Sequence, residues 1–194
     1  MSNTSFFRCA GWCAYISAAM VVLGLIAFML FWSLFSQFGT DNIWGPINDA
    51  TSVVLAFANI VLLIALHRLY RRVAPTVSLI VLATGMAAML VAAVMQSLLI
   101  LKVIVYADTA VSVPLAFAAY GGVLIVYCRL ANRARDWSNR LVWFGILAGV
   151  GYLLTIAGFM IGSVDNPITY VGGLLAVIFA ALWAIGFGRL LRRA

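Results

Sequence analysis

The chain has 194 residues, 66% of them hydrophobic and 9% charged, with a net charge of +7 and no glutamate. Soluble domains carry about 25% charged residues and about 45–50% apolar ones, so this composition excludes an ordinary water-soluble domain and makes lipid the solvent. A basic balance in a soluble protein would point to nucleic acid, but here the cations stand in short runs between apolar segments, which fits membrane orientation and anionic lipid headgroups instead.

Six apolar spans follow in chain order, at about 12–35, 49–70, 77–101, 109–130, 141–162 and 168–188. Each is near the roughly 20 residues that a helix needs to cross a bilayer. The first is too long for a cleavable signal peptide and no Ala-x-Ala site follows it. Phe6-Phe7-Arg8 before Cys9 does not make a lipoprotein cleavage site.

The second span sets a pattern for the rest. Gly45 to Arg72 opens on turn residues, runs apolar, and closes on a basic clamp. Leu55-Ala56-Phe57-Ala58 returns as Leu115-Ala116-Phe117-Ala118 and more weakly as Leu175-Ala176-Val177. The closing Arg68-Leu69 returns as Arg129-Leu130 and Arg189-Leu190. A Pro-Ile pair lies 22 residues before both Arg68 and Arg189. The expected fold is therefore all-α: one polytopic membrane domain, 1–194, of six transmembrane helices in three parallel hairpin repeats, about 1–72, 73–133 and 134–194.

Charge sets the expected orientation. Arg8, Arg68, Arg71, Arg72, Arg129, Arg133, Arg135, Arg140, Arg189, Arg192 and Arg193 fall on one side and only Lys102 on the other. Asp41, Asp49, Asp108 and Asp165 share the Lys102 side. The positive-inside rule then places both termini in the cytoplasm. Gly145-x-x-x-Gly149 and Gly158-x-x-x-Gly162 in span five, Gly121-Gly122 in span four, Gly172-Gly173 in span six and Ala83, Ala87 and Ala88-x-x-x-Ala92 in span three let helix backbones approach closely. Trp12, Trp44, Trp137 and Trp143 fall near the expected interfaces.

Candidate chemistry is sparse. Asp49, Asp108 and Asp165 stand at the outer starts of the second helix of each hairpin. A carboxylate there accepts from free backbone N–H groups, so helix capping is the simpler reading and an outer cation or proton site the sharper one. Inside the membrane no carboxylate or amine remains, whereas ion-coupled transporters keep at least one. The neutral polar set is Asn59, Gln96, Tyr120, Tyr127, Tyr152 and Thr155. Asn59, Gln96, Tyr120, Tyr152 and Thr155 are the candidate ligand-binding residues of a largely apolar pocket; interhelical hydrogen bonding is the competing reading. Asn59 should face a helix or cavity, because an unpartnered amide in hydrocarbon costs roughly 4–8 kcal/mol. Cys9, Cys13, Cys128 and His67 should lie near the cytoplasmic face. Three Cys and one His could hold zinc, but their spacing matches no metal motif, and no cofactor is expected. His67 is the only histidine, so a bis-histidine haem site within one chain is excluded. No Ser-His-Asp set, paired intramembrane carboxylates, phosphate loop or C-x-x-C occurs, so no enzyme is expected.

The segment Asn139-Arg-Leu-Val-Trp-Phe-Gly-Ile-Leu-Ala-Gly-Val-Gly-Tyr-Leu-Leu, with Trp183-Ala-Ile-Gly-Phe-Gly-Arg-Leu-Leu after it, resembles uncharacterised bacterial six-helix integral membrane proteins. That resemblance covers residues 139–193 best and implies an inner (plasma) membrane location and no activity. In size, span number and inside termini the chain is also similar in form to the substrate-binding subunits of energy-coupling-factor vitamin transporters. The expected function is binding, or helping to transport, a small apolar or amphipathic molecule. The alternative is a structural or assembly subunit with protein partners in a larger membrane complex, and an enzyme acting on a lipid is the distant third. The expected partners are membrane lipids, not nucleic acid.

Overall fold

The computed structural model describes residues 3–38, 42–162 and 166–193, and those residues are helical apart from short turns. The elements are α1 (Asn3–Phe38), α2 (Trp44–Tyr70), α3 (Pro75–Ile100), α4 (Tyr106–Thr109), α5 (Ser112–Ala134), α6 (Asn139–Gly162) and α7 (Pro167–Arg193). Among the described residues six helices are long and apolar enough to cross a membrane. The 24 residues of α6 rise about 36 Å, more than a hydrocarbon core of about 30 Å. Only a helix satisfies every backbone group within its own segment, which is why such apolar runs take this form.

The helix ends follow from local chemistry. Pro75 and Pro167 open α3 and α7, where a missing N–H costs nothing. Asn42 Oδ1 accepts the Trp44 N–H at 2.9 Å, and Asn166 Oδ1 accepts the Ile168 N–H at 2.9 Å. Chain reversals after α3 and α5 pass through left-handed residues, Lys102 at φ 57° and Arg135 at φ 55°. There the Val103 N–H reaches the Leu98 carbonyl at 2.9 Å and the Asp136 N–H reaches Ala131 at 3.2 Å, closing the last turns.

Three boundary expectations need correction. α1 starts at Asn3, well before residue 12. The fourth span is broken: the single turn α4 precedes α5, and Asp108 accepts the Val105 N–H at 3.0 Å, so it caps the small turn rather than the long helix. Asp49 lies inside α2, which starts at Trp44 and is capped from Asn42, so Asp49 is not a cap. Asp41 and Asp165 lie outside the described residues.

Each long helix packs on its neighbours in sequence, and α1 packs on α7, so the six close into a ring. The Arg68 guanidinium lies 3.9 Å from the Phe6 ring centroid, and Arg192 lies 4.7 Å from that of Trp12. The start of α1 therefore meets the last turns of α2 and α7, and both described chain ends share one end of the bundle, the termini end. All eleven arginines lie on this end's helix tips and turns; Lys102 stands at the far end. The outer surface is apolar, with Ile80, Met160, Ile161 and Val171 exposed. A water-soluble fold would hide such side chains, whereas a lipid surrounding would solvate them.

Glycine sets the spacing of α5, α6 and α7. A Cβ on Gly149 would stand 2.5 Å from the Gly121 carbonyl oxygen, and one on Gly151 would meet the backbone nitrogen of Ala176. A Cβ on Gly158 would meet the backbone of Thr169 in the same way. The small-residue pairs of α6 thus face neighbouring helices of the same chain. On α3, Ala88 and Ala92 are buried against Ala116, whereas Ala83 and Ala87 point outward.

Candidate functional site

Two clefts sit in the half of the ring remote from the termini. One, of about 140 Å³, is lined by Met20, Val21 and Gly24 of α1, Asn48, Ser52 and Leu55 of α2, Phe117 of α5 and Tyr152 of α6. The other, of about 200 Å³, lies among Val113, Pro114 and Phe117 of α5, Tyr152 and Thr155 of α6 and Gly173, Ala176 and Val177 of α7. Phe117 and Tyr152 line both. Their rings stack at 5.9 Å and 17°, so one aromatic pair forms the partition. Tyr120 braces Tyr152 edge-on at 6.0 Å.

Local sequence explains this geometry. Gly121 leaves room for the Tyr152 Cβ, which would clash with a side chain there. Gly173 bears no side chain into its cleft, and a Cβ added there meets nothing within 4 Å. Gly172, one residue earlier, faces α6, where a Cβ would stand 2.5 Å from the Thr155 nitrogen. The Gly172-Gly173 pair thus gives one glycine to packing and one to the cleft.

The polar residues singled out from sequence divide into groups. Tyr152 and Thr155 reach the clefts. Tyr120 is buried beneath them. The Thr155 hydroxyl donates back to the Gly151 carbonyl at 2.9 Å, which satisfies it within its own helix. Asn59, 1% exposed, accepts from the Ser17 hydroxyl at 2.8 Å and places its Nδ2 3.9 Å from the Met89 sulfur. It ties α1, α2 and α3 together and lines neither cleft. Gln96 is 6% exposed, and its Oε1 has no partner. Sequence reasoning missed Phe117, Asn48, Ser52 and Gly173. Only the Gly-Gly pair carried a usable signal, since apolar and small polar residues at helix starts are common.

The termini end of the ring is closed. Trp183 stacks on Phe187 at 5.0 Å, Trp137 lies 5.2 Å from Phe187, and Tyr70 lies 6.3 Å from Tyr127 and 6.2 Å from Trp137. All five rings are buried. The Tyr127 hydroxyl donates to the Ser78 carbonyl at 3.0 Å, and His67 Nδ1 lies 3.0 Å from the Ser78 hydroxyl. Ser78 is fully buried, so this Ser–His contact has no room for a substrate. Cys9 is exposed, Cys13 half-buried and Cys128 buried. Among the described residues no three Cys, His or carboxylate side chains gather as a metal site would require.

The arrangement offers two small, largely apolar clefts that share an aromatic wall. Comparison with known protein families, with curated proteins and with solved structures finds no match.

Proposed function

We propose that the chain is a multi-pass protein of the inner membrane, termini in the cytoplasm, that binds a small apolar or amphipathic molecule in the far half of the ring. The observation that carries this reading is the pairing of clefts at one end with an aromatic plug at the other. A binding module needs a pocket with one mouth; a pore needs two. Each cleft alone is below the roughly 300 Å³ of a typical ligand pocket. The two together would reach that range if the Phe117–Tyr152 partition moved aside. Among the described residues no charged side chain lines either cleft, so a transport role needs a partner to supply energy.

The three-hairpin reading is supported by the buried faces. Counting back from Arg68, Arg129 and Arg189, the positions Leu66, Tyr127 and Phe187 are all buried. So are Leu62, Val123 and Trp183, and so are Leu55, Ala116 and Ala176. This register places Leu55 opposite Ala116, one residue away from a match made on the Leu-Ala pairs. Orientation rests on the arginines at the termini end. Reporter fusions should then read residue 42 outside, and residue 135 and the C-terminus inside. A C-terminal reporter that reads outside overturns the orientation.

Gly173→Leu tests the ligand. The side chain should fill the second cleft without disturbing the bundle, because that position is open. Wild-type protein purified in mild detergent should carry a small molecule visible by mass spectrometry, and the variant should have lost it at an unchanged melting temperature. If both preparations carry no small molecule but retain another protein, the assembly-subunit reading replaces this one. That second reading is favoured by Asn59, which pairs off with Ser17 as a purely structural residue would.

A further inference from the structure

We propose that the seam between α1 and α7 at the termini end holds one anionic phospholipid, its phosphate on Arg192 and Arg8. The inference rests on membrane insertion but not on the interior cleft.

Gly11 and Gly188 bring the two helices into backbone contact, and the Arg192 stem lies over Gly11. That closeness lays the guanidinium on the aromatic pair beside it, 4.7 Å from the Trp12 centroid and 6.0 Å from that of Tyr15. Trp12 and Tyr15 contact each other edge-on at 5.8 Å. A stacked guanidinium is held in plane while its edge N–H groups stay free, and that fork matches two phosphate oxygens. Arg8 precedes Trp12 by one helical turn and shares its face. Among the described residues no carboxylate pairs with either arginine. Among the described residues the positive charge is therefore uncompensated.

Trp12 is 58% exposed, as befits an indole at headgroup depth. Below it both helices present apolar surface, Ile16 and Leu23 on α1 and Ile178 and Leu182 on α7, along which acyl chains can lie. Arginine fork, indole shelf and apolar track together select a phosphodiester that carries hydrocarbon, not a free anion.

The test uses native mass spectrometry of the full chain in mild detergent with equal amounts of phosphatidylglycerol and phosphatidylcholine. Wild-type protein should retain one phosphatidylglycerol in preference. Arg192→Gln and Trp12→Ala should each lower that retention by about tenfold, the loss expected for one charge-assisted contact. Arg71→Gln, at the same end on α2, should retain lipid at the wild-type level. Millimolar inorganic phosphate should not displace the lipid. Equal retention of both lipids, an equal loss in Arg71→Gln, or displacement by phosphate would overturn the site. Trp12 is surface-exposed, so its variant decides the matter if Arg192→Gln folds poorly.

Discussion

Gly151→Leu should be the most disruptive single substitution in the chain, lowering the unfolding temperature in detergent far more than Gly173→Leu. A Cβ on Gly151 meets the backbone of Ala176 and the Gly172 carbonyl oxygen, so α7 would have to move as a whole. Overpacking a core costs roughly 1–3 kcal/mol when side chains can yield. Backbone cannot rotate away, so the effect should exceed that range. In a membrane the effect should be larger still. Hydrocarbon solvates leucine as well as a protein interior does, so helix association rests on close approach, dispersion and hydrogen bonds. Separating α6 from α7 removes the first two at once. Gly149→Leu and Gly158→Leu should act the same way through Gly121 and Thr169. Gly173→Ala should be neutral or slightly stabilising, since alanine is the better helix former by about 1 kcal/mol. Similar melting temperatures for the Gly151 and Gly173 variants would mean that the α6–α7 contact is not as close as described.

Trp183→Ala should open the termini end. Truncating a buried tryptophan costs about 3–5 kcal/mol, and here it removes the ring that stacks on Phe187 and borders Cys128. Gly145 sits where any side chain would collide with the Cys128 sulfur and crowd Trp183 Nε1, so the three positions form one packed unit. In a Cys9→Ala, Cys13→Ala background, Cys128 should resist a maleimide while Trp183 is present and react once it is alanine. Trp183→Phe separates shape from polarity. Trp183 Nε1 is buried without a partner, so removing that donor while keeping a ring should cost little. Rapid labelling of Cys128 with Trp183 intact would show that the plug does not seal.

The part of this architecture that is legible in the sequence is the part that hydropathy and charge dictate. Apolar runs of bilayer length locate six helices, because lipid leaves the backbone no other solution. Ring closure was not legible, since nothing in Gly11 or Gly188 names its partner across the whole chain. Of the expected carboxylate caps, Asp108 caps the single turn α4, whereas Asp49 stands inside α2 and Asn42 accepts the N–H bond at the start of that helix. Gly151 carries no signal in the sequence, because its partners Gly172 and Ala176 lie on another helix and not four residues away on its own. Of the mid-depth polar set, Tyr152 and Thr155 reach the clefts and Asn59 does not; the direction of a side chain around a helix inside a ring depends on packing, not on depth.

On the proposed reading, the interior opens only at the end remote from the termini. Ser52 lines the first cleft and is half-buried, so a cysteine there, in a chain stripped of Cys9 and Cys13, reports access directly. In intact cells Ser52→Cys should react with a membrane-impermeant maleimide from outside. In inverted vesicles the same reagent should fail to reach it, and Cys128 should stay unlabelled from both sides. Labelling of Ser52→Cys from the termini side, or from both sides, would contradict a one-ended cleft.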